Sequence, residues 1–264
     1  MEHSNDCWQC DTSHGPIIKI DGRKVQTYLI QIIDDASRMI VGAQFFLNDN
    51  SVNLQIVLKQ AIKTYGKPKR IFADNGTPYK NIQFETICAN LGTVLIHAKP
   101  YSPESKGKIE RSFRTIKDNF QNCTDWTKFA SLEDLNDQYY NYVQSDYNNH
   151  FHTSINDTPR NRFMKDYDIL KFVESQEVLE EYFLHSLERK VATDSTLQLI
   201  GKTFEVPSRY MRQKVTIKFQ PDNLEKAYLY ENGKKIETIY PVKKIDNSKM
   251  KRKSISYASL EGRD

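Results

Sequence analysis

The chain has 264 residues, 38% hydrophobic and 27% charged, with a formal net charge of +4. This length is enough to bury a sizeable core in one large domain or two smaller ones. No stretch approaches the ~20 uninterrupted apolar residues of a membrane helix. The opening Met1-Glu2-His3-Ser4 has neither the basic nor the apolar region of a secretory signal, so the cytoplasm is the expected location. Four cysteines (Cys7, Cys10, Cys88, Cys123) are too sparse for a disulfide scaffold. Cys7 and Cys10 form a CxxC pair, but no second pair follows, and two small side chains on a strand are preferred to a zinc site. Lys243 to Asp264 hold seven basic and three acidic residues, the whole of the net charge. A neutral body with a basic tail is compatible with a polyanionic partner.

In chain order, residues 5–12 read as a short strand and Asp21-Gly22-Arg23-Lys24 as a turn. Thr27 to Ile33 is β-branched and aromatic and reads as a central strand. Asp34-Asp35-Ala36-Ser37 is the next turn, and Met39 to Leu47 a third strand that completes an antiparallel meander. Ser51 is placed as the N-cap of a helix carrying Leu54, Val57, Leu58, Ala61, Ile62 and Tyr65, ended by Gly66 and Pro68. Arg70 to Ala73 is a strand running into Asp74-Asn75-Gly76. A helix over Phe84 to Leu91 and a strand over Thr93 to Ala98 follow. Lys99 to Lys108 is a polar loop with two prolines and a glycine. Ile109 to Phe120 is a helix, and residues 131–149 another.

Residues 151–190 are read as a polar connector, with 166–190 helical and charged. Beyond them, strands at Lys202–Val206, Lys214–Phe219, Lys226–Tyr230 and Lys235–Ile239, with a hairpin signal at Asn232-Gly233, predict a small barrel over 191–245. Residues 246–264 form a basic flexible tail. The fold class is α/β, a mixed sheet flanked by helices, followed by this all-β barrel.

Three acids occupy unusual places. Asp11 ends the first strand, Asp74 stands where a strand breaks into Asn-Gly, and Glu110 opens the helix after the polar loop. Acids are disfavoured in strands. Each alone is explained as a strand-end, turn or helix-start residue. If the first and fourth strands are neighbours, the two aspartates converge. Converging carboxylates require cations, and hard oxygen ligands suit Mg²⁺ or Mn²⁺. Two such ions serve phosphodiester cleavage or transfer. On the last of these helices, Ile109, Phe113, Ile116 and Phe120 form the core stripe, and Glu110, Arg114, Lys117 and Gln121 run beside it. Cations beside a metal-binding acid suit phosphate contact, although a plain solvated face accounts for the pattern equally well.

The residues Trp8-Gln9-Cys10-Asp11, Tyr28-Leu29-Ile30, Ile33-Asp34-Asp35-Ala36-Ser37-Arg38, Phe72-Ala73-Asp74-Asn75-Gly76 and Pro100 to Arg111 resemble the integrase catalytic core. Retroviral integrases and bacterial insertion-sequence transposases share this core. The resemblance implies an RNase H-like fold over residues 1–150. It also implies an Asp-Asp-Glu triad at Asp11, Asp74 and Glu110, with residues 75–109 supplying the family's interval of about 35. It makes these three both catalytic and metal-binding, with two ions in the active complex. Glu104 is excluded because it breaks the spacing. The resemblance places DNA contacts at Lys106, Lys108, Arg111, Arg114 and Lys117, and a mobile active-site loop at Lys99–Lys108. Gly201–Val242 is similar to the C-terminal β-barrel of Mu-type transposases.

The implied reaction is cleavage at a transposon end to expose a 3′-hydroxyl, which then attacks target DNA. The implied partners are duplex DNA, further copies assembled on it, and an ATP-dependent target-selection protein that engages the tail. Family members usually carry DNA-reading domains ahead of the core. The near-immediate start of the core is therefore read as a truncated product, a fragment, or half of a two-part system. Two other functions fit parts of the pattern: a non-catalytic DNA-binding or assembly protein, and an RNase H-type nuclease.

Overall fold

The computed structural model describes residues 1–98, 107–126 and 131–242. It divides into two compact units, Met1–Phe183 and the chain from Leu184 onward.

The first unit is built on a meander of β1 (Trp8–Ile20), β2 (Arg23–Asp34) and β3 (Ile40–Phe46). Asp21 and Gly22, at φ +48 and +77, turn β1 into β2, the backbone handedness a tight hairpin needs. The helix α1 (Ser51–Tyr65) begins one residue before its expected place. Asn50, not Ser51, is the N-cap, and its Oδ1 accepts the Asn53 N–H at 2.9 Å. Asparagine caps as well as serine does, and residue 50 has the extended backbone a cap requires. Gly66 ends α1 at φ +80. Then come β4 (Arg70–Ala73), α2 (Ile82–Leu91), capped by Asn81, and β5 (Val94–His97).

The strand order is β3-β2-β1-β4-β5, with β1, β4 and β5 mutually parallel. This is the RNase H-like arrangement, a mixed sheet with helices on both faces. Below one face Trp8, Cys10, Ile30, Ile32, Ile71 and Ala73 pack on α1 and α2. Over the other lie α3 (Gly107–Ile116), which runs on into a π-helical turn at Lys117–Gln121, and α4 (Leu132–Ser145). Ile109, Ile116 and Phe120 are buried there with Leu29, Phe45 and Tyr139, and Phe113 is packed against them, so the expected stripe faces the core.

The segment expected as a connector does two different things. Residues 151–183 belong to the first unit. They contain α5 (Pro159–Met164) and α6 (Gln176–Tyr182), which put Phe163, Leu179 and Phe183 into the core beneath α1 and α2. Burying such a side chain stabilises by roughly 1.5–3 kcal/mol, which draws an otherwise charged segment onto the core. Helix over 166–190 is limited to a single turn at Tyr167–Ile169 and to α6, since residues 185–190 are strand β6 (His185–Lys190).

The second unit is all-β. Its sheet runs β11 (Lys234–Ile239), β10 (Ala227–Glu231), β9 (Lys214–Phe219) and β6, antiparallel throughout. A hairpin of β7 (Thr196–Leu199) and β8 (Lys202–Glu205) faces the same core of Phe204, Ile217, Phe219 and Leu229. The Val242 N–H donates to the Thr203 carbonyl at 2.8 Å, so β8 pairs with the chain beyond β11 and the two sheets wrap round one interior. Asn232 and Gly233, at φ +49 and +77, form the expected hairpin turn. The expected tail, 246–264, lies outside the described residues.

Candidate active site

Asp11 and Asp74 stand side by side. The last registered pair between the parallel strands β1 and β4 is Cys10 with Ala73. Asp11 and Asp74 are the next residues on neighbouring chains, whose spacing is about 4.8 Å. Cys10 and Ala73 face the core beneath α1, and side chains alternate along a strand. Asp11 therefore belongs to the opposite face, with its cross-strand partner Gln31.

Local hydrogen bonds orient both acids. The Thr12 N–H donates to Asp11 Oδ1 at 2.9 Å. The Gly76 N–H donates to Asp74 Oδ1 at 2.8 Å. A Cβ at residue 76 would lie 2.9 Å from that oxygen, which explains why Asp-Asn-Gly suits this turn. The Asp74 carbonyl meets His97 Nδ1 at 2.9 Å, tying the turn to β5.

A fourth acid, Asp49, stands nearby and was not singled out in the sequence. Thr12 Oγ1 donates to Asp49 Oδ1 at 3.2 Å and shares a 2.6 Å hydrogen bond with the Tyr79 hydroxyl. Burial, reinforced by the charge of Asp74, raises the Asp49 carboxyl above its ordinary pKa. In the sequence Asn48-Asp49-Asn50 looks like any polar turn.

Glu110 lies exposed in the first turn of α3, one residue past buried Ile109. The helix rests on the sheet beside Asp11, because Gln31 Nε2 donates to Ser112 Oγ at 2.6 Å. Its start is fixed by Lys108, whose Nζ meets Asp35 Oδ2 at 2.6 Å. Burial works to raise Asp35, but Lys108 and the amino terminus hold it below the usual carboxylate range. The preceding Asp34 is fully buried. It accepts from the Asn5 N–H, the Ser37 N–H and the Ser37 hydroxyl, and burial raises its pKa. Sequence reading takes Asp34-Asp35 for a turn, and it is also the anchor of α3.

Among the described residues no three His, Cys, Asp or Glu side chains are grouped so as to hold a metal ion. The structure thus brings Asp11 and Asp74 together and does not bring Glu110 into one ligand cluster with them. Of the expected DNA contacts, Arg114 and Lys117 share the exposed face of their helical segment with Glu110, Arg111 is exposed, and Lys108 is engaged with Asp35. Lys106, Glu104 and most of the expected loop Lys99–Lys108 lie outside the described residues.

Sequence reading puts Asp11 at the end of the first strand, but β1 runs on to Ile20 in its pairing with β2, so the acid lies inside the strand where the parallel partner β4 stops. A mixed sheet of this order is the RNase H-like fold. Residues 1–103 match one model of the integrase core domain and residues 91–159 match a second. Residues 1–159 are thus similar, in two overlapping stretches, to the integrase core domain.

Among curated relatives, the transposase for transposon Tn552 of Staphylococcus aureus is 24% identical over 250 residues, 86% of this chain and 52% of that protein. The putative transposase for insertion sequence element IS5376 of Geobacillus stearothermophilus is 24% identical over 255 residues, 92% of this chain and 61% of that protein. The chain thus spans between half and two thirds of the length of these relatives. Among solved structures, the HTLV-2 integrase catalytic core domain in complex with magnesium aligns with a TM-score of 0.46 and 20% identity, over 61% of this chain and 97% of that one. No helix among the described residues is long and apolar enough to cross a membrane.

Proposed function

We propose that this chain is the catalytic part of a DNA transposase, cutting a phosphodiester at a transposon end and joining the freed 3′-hydroxyl to target DNA. The observation that carries this reading is the placement of Asp11, inside β1, and Asp74, just past β4, immediately beyond the last parallel pair of the two strands, in a stretch matched by an integrase core domain model. Glu110 follows Asp74 at the family's interval, on the helix that rests against Gln31, the cross-strand partner of Asp11.

The donor set is carboxylate oxygen throughout, the chemistry that suits Mg²⁺ or Mn²⁺. Asp11, Asp74 and Glu110 would hold such ions, two in the active complex. These ions would supply activation of the attacking oxygen and stabilisation of the leaving one. The chain's own residues do the rest. The Thr12 and Gly76 N–H groups fix one oxygen of each aspartate, leaving the carboxylates oriented before substrate arrives. Arg114 and Lys117 grip phosphates beside the acids. The Lys108–Asp35 pair and the Ser112–Gln31 bond hold α3, with Glu110 in its first turn, to the sheet.

Duplex DNA, both transposon end and target, is the substrate, and several copies assemble on it. The all-β unit is the counterpart of the Mu-type barrel, and the basic residues beyond 242 dock an ATP-dependent target-selection protein. The setting is the bacterial cytoplasm.

A strand-transfer assay in Mg²⁺ with transposon-end duplex tests the reading. Asp11→Asn, Asp74→Asn and Glu110→Gln each abolish joining with an unchanged fold by circular dichroism, and Glu104→Gln retains it. Retention in Glu110→Gln alongside loss in Glu104→Gln overturns the triad. Cleavage of an RNA–DNA hybrid in place of end-bearing duplex overturns the reaction.

A further inference from the structure

A cavity of about 470 Å³ opens between α3, α4 and the chain following α4. Its lining is rich in basic side chains. Arg38, Lys108, Arg111, His150 and His152 face a single acid, Asp146. Lys108 is neutralised by Asp35, but Arg38 is not satisfied. Its Nη1 is buried and has no hydrogen-bond partner among the described residues. Arg38 also stands at φ +67, an uncommon conformation for a residue with a side chain. Hydrogen bonds from its N–H to the Asp34 carbonyl and from the Asp34 N–H to the Met39 carbonyl, both 2.9 Å, hold it there. An N–H without an acceptor is costly. Nη1 itself is closed off, and the half-buried Arg38 lines the cavity with the rest of its side chain.

The cations also repel one another. Burial first, then the charges of Arg38 and Arg111, pull His152 below its ordinary pKa. Burial lowers Arg38 too, with Arg111 adding to it and Asp35 and Asp34 opposing. An anion placed among these groups would reverse the repulsion. Part of the remaining wall is aromatic, from Tyr142, the largely buried Tyr147 and the 54% exposed Phe151, beside polar Ser112, Thr115 and Asn119. None of these residues belongs to the acid pair on β1 and β4.

We propose that this cavity binds a phosphorylated nucleoside, its phosphate held by Arg38, Arg111 and His152 and its base laid against Tyr147 and Phe151. Guanidinium groups match phosphate oxygens as a fork. Aromatic faces take any base by stacking, sequence-tolerantly. The volume falls within the roughly 300–1,000 Å³ of small-molecule sites. The ligand is either a free nucleoside monophosphate or an unpaired nucleotide of a DNA strand, and the recognising chemistry is the same. The site stands on its own geometry, whether or not the strand-transfer reading holds.

The test is calorimetric titration of the full chain in EDTA, which removes any metal-bridged binding at the acid pair. Thymidine 5′-monophosphate binds one-to-one, at least tenfold tighter than thymidine or inorganic phosphate. Arg111 is exposed on its helix, so Arg111→Gln keeps the wild-type melting curve and weakens the nucleotide at least tenfold. Phe151→Ala weakens the nucleotide and leaves inorganic phosphate binding as it was. A short 5′-phosphorylated oligothymidylate that displaces the monophosphate assigns the site to a DNA strand, and one that fails to displace it assigns a free nucleotide. Nucleotide binding no tighter than phosphate, or untouched by Arg111→Gln, overturns the proposal.

Discussion

Asp74 depends on a neighbour that has no side chain. The carboxylate takes its hydrogen bond from Gly76 N–H, and any Cβ there would press to 2.9 Å from Oδ1. Gly76→Ala therefore turns the carboxylate away while leaving its charge in place. Misplacement of a catalytic group by about 1 Å costs on the order of 10²-fold in rate, so joining falls by roughly that factor while the melting temperature stays within a few degrees. Strand-transfer kinetics beside thermal melting check this. A variant as fast as wild type shows that the Asp74 orientation is not set by this turn. Asp35 behaves differently with pH. Its folded pKa is depressed, so its contribution to stability is present above the ordinary carboxylate value of about 3.9 and is lost as pH falls through the lower folded value. The anchor on Lys108 thus holds at neutral pH and releases only in strong acid.

At the scale of elements, α3 has two unlike sides, and the same periodicity builds both. Its core stripe holds it on the sheet, and Glu110, Arg114 and, just past it, Lys117 are left outward. Arg114→Ala and Lys117→Ala weaken duplex binding about equally for all sequences and each flatten the salt dependence, since phosphate contacts carry no base information. Binding isotherms at several salt concentrations with two unrelated duplexes measure this. A loss confined to one sequence would mean that the helix reads bases. The helix α5 makes its contribution from below the sheet. Phe163 is 1% exposed in the core beneath α1, edge-on to Tyr65 at 5.6 Å between ring centres. Phe163→Ala leaves a cavity and costs about 3–5 kcal/mol, read by urea unfolding. A change under 1 kcal/mol would show that residues 151–183 are only draped on the core.

For the molecule as a whole, the expected behaviour is contact with DNA rather than readout of it. Base readout needs a structured element seated in a groove, and the proposed role of the exposed cations of α3 is contact with phosphates, which carry no base information. In a competition assay at physiological salt, transposon-end duplex and scrambled duplex bind alike, in the ~10⁻⁴–10⁻⁶ M range of non-specific contact. A thousandfold preference for the end would reveal a reader elsewhere in the chain.

Much of this was legible beforehand, and the reasons differ by region. The strands β2, β3 and β4 are β-branched and aromatic, with breakers between them, so their existence and the meander followed from pattern. The adjacency of β1 and β4 stood only as a condition, and β1 runs to Ile20, well past the expected 5–12, because β2 pairs with it to its end. β6 was not legible. Its sequence His-Ser-Leu-Glu-Arg-Lys is charged and helix-tolerant, and it is a strand because β9 pairs with it along its whole length. Likewise the cation-lined cavity joins Arg38, Arg111 and His152 from distant parts of the chain, so no local pattern announces it.

The pairing of β1 with β4 also governs when the acids meet. Asp11 sits in a hairpin that forms from local contacts, but its parallel neighbour comes only after α1 has been crossed. Parallel pairing across such a gap is slow compared with closing a hairpin. Until β4 docks, Asp11 has β2 alone beside it and no second carboxylate. A newly made or partly unfolded chain then lacks the paired carboxylates, and under the proposed function competence to cut DNA would arrive only with the finished sheet.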